Sequence, residues 1–240
     1  MPPSELRKDA REALAGKWGK AVCIILVYMA FSFVIGFIQG LVGEGSPLYT
    51  IIDLAFAIIS IPLSFGLIIS FMKLSRGEEV SVLDFLKEGF ARFGKSWGIV
   101  LHTFLRMLLP IVCIILVAIL LVFSIGFGIG SGRFVLTILV VALYIATIIY
   151  LVSRGLLYSL SYYIAYDNSE LSSKECVLKS KEMMTGKRGK LFCLNFSFIG
   201  WYILAGFTLY IGLFWLLPYI QLANIAFYKY AKGETQSTEA

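Results

Sequence analysis

The chain has 240 residues, 59% of them hydrophobic and only 15% charged, against roughly 45–50% and 25% in soluble proteins. A water-soluble fold is excluded, and a mean hydropathy of +0.85 leaves room for six membrane-spanning helices of roughly 20 residues each but for no large soluble domain. The net charge of +6 comes from 21 Lys and Arg against 15 Asp and Glu and lies beside the apolar segments, which points to a membrane surface and not to nucleic acid.

In chain order, residues 1–20 read as a helix with Leu6, Ala10, Ala13, Leu14 and Trp18 on one side and Arg7, Lys8 and Arg11 opposite, the pattern of an amphipathic surface element. Because Glu5, Asp9 and Glu12 interrupt its positive charge and a long apolar stretch follows, it is not the start of a cleavable signal peptide. Apolar spans are expected at 21–41 and 49–74, the first carrying Gly36-x-x-x-Gly40, a spacing that permits close helix contact. A second amphipathic element opens at Ser81-Val82-Leu83-Asp84, similar to a capping box, and lines up Val82, Leu86, Phe90, Phe93 and Trp97. Spans at 109–128 and 134–152 follow, joined by a flexible turn containing Gly126, Gly128, Gly130 and Gly132. The run from Arg154 through Tyr158, Tyr162, Tyr163 and Tyr166 is expected to carry the fourth helix into the headgroup zone as an aromatic belt. A third amphipathic element starts with the capping box Ser172-Ser173-Lys174-Glu175 and stops at Gly186. The remaining apolar stretch, 191–230, would be about 60 Å long as one helix, twice the hydrocarbon thickness. A turn near Thr208 to Gly212 therefore divides it into spans 191–207 and 213–230.

Charge placement tests this threading. Five Lys and Arg precede the first span, five lie between the second and third, seven between the fourth and fifth, and two follow the sixth. The opposite connections hold only Arg133, and Arg106 lies within or near a span. Since cytoplasmic loops carry the excess of Lys and Arg, both termini are expected in the cytoplasm of a bacterial plasma membrane.

The same wording follows each amphipathic element: Lys17-Trp18-Gly19-Lys20, Arg92-Phe93-Gly94-Lys95 and Lys187-Arg188-Gly189-Lys190. Arg11-Glu12 and Lys181-Glu182 also stand five residues before Gly16-Lys17 and Gly186-Lys187. The fold class is thus all-α, a six-span polytopic bundle with three cytoplasmic interfacial helices in one integral membrane domain. Its tandem units are expected at 1–74, 75–152 and 153–232, with a polar tail at 233–240. The competing explanation is that any membrane entry favours a Gly turn and a snorkelling Lys. In either case Lys17, Trp18, Lys20, Arg92, Phe93, Lys95, Trp97, Lys187, Arg188 and Lys190 are the expected contacts to anionic headgroups.

Groups for catalysis are scarce. His102 is the only histidine, which excludes an H-E-x-x-H metal site. No G-x-S-x-G occurs, and Asp53 is the only carboxylate within an expected span, so no aspartate dyad can form. Cys23, Cys113, Cys176 and Cys193 include no C-x-x-C pair, and no metal or cofactor is expected. His102 and Arg106, four apart before Pro110, together with Asn195, Gln221 and Asn224, form the candidate polar set. These residues either line a cavity between hairpins, or Arg106 snorkels to lipid phosphate while the amides hold helices together.

The wording from Tyr163-Ile164-Ala165-Tyr166-Asp167-Asn168 through Ser180-Lys181-Glu182-Met183-Met184-Thr185-Gly186, Ser197-Phe198-Ile199-Gly200-Trp201 and Pro218-Tyr219-Ile220 resembles the bacterial integral membrane family catalogued as domain of unknown function 975. The resemblance is closest from Arg154 to Tyr230 and extends to the opening Leu6 to Lys20. Between Leu101 and Leu151 it departs, with Ser153-Arg154-Gly155 where members carry an Ile-Pro-Gly-like turn. It implies a polytopic membrane protein and transfers no catalytic residue. The expectation is a non-enzymatic scaffold, regulator or accessory subunit that engages anionic lipid, a protein partner or a second copy through its basic helices. The alternative is a transporter or translocase for an amphiphile.

Overall fold

The computed structural model describes residues 1–126 and 131–234, with side chains described as far as Ser124 and again from Val135. Among them all regular structure is helical: α1 (Pro3–Leu14), α2 (Trp18–Val42), α3 (Pro47–Ser75), α4 (Asp84–Ala91), α5 (Phe93–Gly126), α6 (Ser131–Leu157), α7 (Ser161–Asp167), α8 (Ser173–Met184), α9 (Arg188–Phe196), α10 (Ile199–Phe207) and α11 (Leu213–Lys232). Of the expected glycine turn, Gly126 ends α5 and Gly132 lies in the first turn of α6, while Gly128 and Gly130, the Arg133 side chain and the polar tail past Glu234 lie outside the described residues.

Local chemistry sets the helix ends. The capping box at α8 forms as expected, Ser172 Oγ accepting from the Glu175 N–H while the Glu175 carboxylate accepts from the Ser172 N–H. At α4 only half of one forms: the Asp84 carboxylate accepts from the Ser81 N–H at 2.8 Å, and Leu83 takes the cap position. Helices α1 and α8 end alike. The Lys17 N–H donates to the Leu14 carbonyl at 2.8 Å and the Lys187 N–H to that of Met184 at 3.0 Å, with Gly16 and Gly186 at φ +71° and +77°, a conformation that favours glycine. The turn near Thr208 to Gly212 is present, with Leu209 and Tyr210 both at positive φ.

The burial pattern around the three basic motifs recurs. Counting from Lys17, Arg92 and Lys187, the residues seven and three positions earlier and four and seven positions later are buried in each case. They are Ala10, Leu14, Ala21 and Ile24 in the first stretch, Phe85, Gly89, Ser96 and Ile99 in the second, and Ser180, Met184, Leu191 and Leu194 in the third. Packing is correspondingly cyclic. Helix α4 lies on α3, α8 on α7 and α6, and α1 on α11, so each of these short helices touches the returning helix of the hairpin before it, and α8 packs on the outgoing helix α5 as well. The contact of α1 with α11 joins the start of the chain to its end and closes the ring.

Several expectations are corrected. The apolar faces of α1, α4 and α8 were expected to sink into the headgroup boundary, but Leu6, Ala10, Leu14, Phe85, Cys176, Val177 and Met184 are all buried within the protein. A partner helix removes such side chains from water completely, whereas a headgroup boundary leaves them half wet. The face of α4 differs as well: Phe85 and Gly89 point inward, while Phe90 and Phe93 are 47% and 38% exposed. Backbone contact dictates this register, because a Cβ on Gly66 would stand 1.9 Å from the Phe85 carbonyl oxygen and one on Gly89 would stand 2.3 Å from that of Pro62. Gly36 and Gly40, by contrast, have nothing within reach of a Cβ. The tyrosine run is no headgroup belt, since Tyr158 and Tyr163 are buried, Tyr162 meets Phe65 with ring centroids 5.0 Å apart, and Tyr163 stacks on Tyr228 at 5.4 Å.

Among the described residues, five helical stretches and not six are long and apolar enough to cross a membrane. The fifth, Arg188–Phe207, is interrupted at Ser197 and Phe198 between α9 and α10. The expected sixth span forms α11, where Gln221, Asn224 and Lys229 dilute the apolar character and the second half is buried against protein. The apolar windows of the five stretches are only 6% to 44% buried, so most of their surface faces lipid in a bilayer.

Proline adds one more constraint. Pro62 within α3 cannot donate to the Ile58 carbonyl, and the Trp97 indole N–H of α5 donates to that oxygen instead, at 3.2 Å.

Because the α3–α4 contact has no room for a side chain, Gly66→Ala and Gly89→Ala should each destabilise the protein by about 1–3 kcal/mol, the usual cost of overpacking. Thermal unfolding in detergent should show a lowered Tm for both and no loss for Gly36→Ala.

Candidate functional site

The basic residues gather at the end of the bundle where the hairpins start and finish. Here Asp167, the last residue of α7, joins all three hairpins. Its carboxylate is 5% exposed and accepts from Arg76 at the end of α3, from Tyr228 Oη at 2.8 Å and from Lys232 Nζ at 3.0 Å, the last two on α11. Arg76 and Arg92 also stand over the Tyr166 ring, 5.2 and 5.6 Å from its centroid, a distance at which a cation is attracted to the ring face.

A second cluster ties α3 to α4, with Glu88 accepting from Lys73 Nζ at 2.5 Å and from Arg92. Burial pushes the Glu88 carboxyl upward, but the hydrogen bonds from Lys73 and Arg92 outweigh it and hold the group below its ordinary value of 4.5.

The motif lysines are engaged within the chain. Lys17 Nζ donates to the Leu74 carbonyl at 3.0 Å, Lys187 Nζ to that of Ala231 at 2.7 Å, and Lys95 Nζ to those of Asn168 and Ser169 at 3.2 and 2.8 Å. Each thus caps the end of its own hairpin's returning helix, where carbonyls lack partners and the helix dipole is negative. Lys190 donates to Tyr230 Oη at 2.6 Å, and Arg188 to Ser153 Oγ at 2.9 Å. Lys20 remains exposed, and Trp18 is half-buried.

Within the candidate polar set, Arg106 and Asn195 make bonds inside their own helices. Arg106 donates to the His102 carbonyl one turn back at 2.9 Å, and Asn195 donates to that of Leu191 at 3.1 Å. Gln221 and Asn224 are half-buried on α11. Asp53 accepts from Gln39 at 3.2 Å, joining α2 to α3 at their exposed end. Among the described residues no three of His, Cys, Asp and Glu come together as a metal site.

Two apolar clefts open at seams between neighbouring hairpins. One, of about 390 Å³, is walled by Trp18, Trp201, Trp215 and Tyr219 with Arg11 beside them. The other, of about 400 Å³, lies between α6 and α9 and is lined by Val152, Leu156 and Phe192 with Arg188. None of the candidate polar set lines either cleft. Sequence reasoning missed Asp167 and Arg11, since neither lies in a basic-x-Gly-Lys motif.

The chain matches the family described as protein of unknown function (DUF975) over residues 1–234 and belongs to it. No curated protein and no solved structure matches the chain.

Asp167→Asn should leave Arg76 without its counter-charge and Lys232 with Glu234 alone, and because both cations are partly exposed it should destabilise the protein by about 1–3 kcal/mol; Tm in detergent reads it directly. Glu88, with its folded value depressed, contributes stability that is present above 4.5 and lost as pH falls through that lower value. Denaturation below pH 4.5 should therefore be less steep in Glu88→Gln than in the wild type.

Proposed function

We propose that this DUF975 member is a non-enzymatic scaffold or accessory component of a bacterial plasma membrane, with both termini in the cytoplasm. In this reading it engages anionic lipid through the basic end of its bundle and leaves its apolar hairpins free to meet lipid, a protein partner or a second copy. What carries the reading is the concentration of Lys and Arg in a packed layer at one end, where the hairpin ends meet at Asp167. Such a layer beside anionic headgroups gains about 1 kcal/mol for each Lys or Arg near the surface. Orientation follows from the same residues, because the excess of Lys and Arg marks the cytoplasmic side. The transporter alternative has little to rest on, as Arg106 and Asn195 bond within their own helices.

The full-length protein in nanodiscs should show a Tm that rises when phosphatidylglycerol replaces part of the phosphatidylcholine, with the gain removed by high salt. A Tm indifferent to lipid charge would overturn the reading.

A further inference from the structure

We propose that the seam cleft between α1–α2 and α10–α11 is a binding site for one anionic phospholipid, whose phosphate is held by Arg11 and whose acyl chain enters between Trp18, Trp201 and Trp215. This rests on the anionic-lipid reading above and gives it a specific site.

The cleft, at about 390 Å³, falls within the size range of ligand sites, roughly 300–1,000 Å³. Its chemistry is divided. Arg11 is exposed in the last turn of α1 and makes no hydrogen bond or ion pair among the described residues, whereas the neighbouring Lys8 and Lys17 are both engaged, with Glu12 and with the Leu74 carbonyl. A free guanidinium presents a planar fork that matches a phosphate in two-point contact. Apart from Thr208, the rest of the wall is apolar or aromatic and includes three of the chain's four tryptophans. Trp18 opens α2 beside the basic layer, at the depth where headgroup meets acyl chain and indole is favoured, and Trp201 and Trp215 stand farther along the hairpin, on α10 and α11, where an acyl chain runs.

The same walls disfavour a peptide. Thr208 Oγ1 already donates to the Ala205 carbonyl and accepts from the Gly212 N–H, so little is left to satisfy a second backbone, and unsatisfied polar groups in an apolar cleft are costly.

The other seams sharpen the assignment. Where α9 meets α6 an arginine again stands beside apolar walls, but Arg188 is tied to Ser153. Where α5 meets α3, Trp97 spans the seam and donates to the Ile58 carbonyl. The ring thus has one seam bridged by a side chain, one with a partly engaged arginine, and one in which a free cation faces an open aromatic cleft.

The tryptophans supply the assay. In phosphatidylcholine vesicles holding the full-length protein, phosphatidylglycerol with brominated acyl chains should quench intrinsic fluorescence with saturation at a low mole fraction. Brominated phosphatidylcholine should require a much higher fraction. Arg11→Gln should raise the half-saturating fraction of the anionic lipid by about tenfold, as expected for losing a hydrogen bond to a charged group, with Tm in phosphatidylcholine unchanged. Trp201→Phe and Trp215→Phe should each shrink the quenchable signal. Equal quenching by the two lipids, or an Arg11→Gln curve superimposed on the wild type, would overturn the site. If the Tm of the wild type still rises with phosphatidylglycerol in that case, the cleft fails while the basic layer stands.

Discussion

A carboxylate with 5% of its side chain exposed holds the three hairpins at one end. Taking the Asp167 charge out of water is unfavourable unless it is paired and hydrogen-bonded, and its three donors come from α3 and α11, which belong to the other two hairpins. The charge can be satisfied only when all three returning helices arrive together. Its contribution is therefore to specify the arrangement, while the adjoining buried rings of Tyr163, Phe227 and Tyr228 supply apolar burial around it.

The position of this junction follows from the solvent. Within a bilayer, lipid tails are as apolar as leucine, so no hydrophobic force draws helices together there. Beside the membrane, water restores that force. The protein divides accordingly: α1, α4 and α8 and the second half of α3 form a packed layer, whereas Phe33, Leu54, Leu120 and Leu139 remain exposed along the hairpins. The short helices belong to this layer because their apolar faces complete a core.

The same division explains what could be read from the chain. Helix α8 with its capping box, the glycine stops at Gly16 and Gly186, and the turn near Thr208 depend on neighbours within a few residues, and local rules identify them. The α4 register depends on Gly66 meeting Phe85, and the tyrosine run turned inward because Phe65 and Tyr228 await it. Asp167 bonds Arg76 across 91 residues and Lys232 across 65. No periodicity encodes such pairings. The proline in α3 was visible, but its consequence, an acceptor at Ile58 for the Trp97 indole, required the placement of α5.

The basic-x-Gly-Lys motifs illustrate how a correct pattern can carry a different role. Their recurrence was expected to mark headgroup contacts, but Lys17, Lys95 and Lys187 reach carbonyls at the ends of the returning helices. A cation beside unpaired carbonyls gains both hydrogen bonds and the field of the helix dipole, and the lysines therefore fasten each hairpin to itself. On the anionic-lipid reading proposed above, contact with lipid phosphate then falls to cations outside that duty. Lys20 and Arg11 are exposed, and of these Arg11 stands at an aromatic cleft. In this fold one lysine of each motif is thus a structural cation, and on the lipid-site proposal Arg11, six residues before the first motif and without an internal partner, is the group that recognises the phosphate.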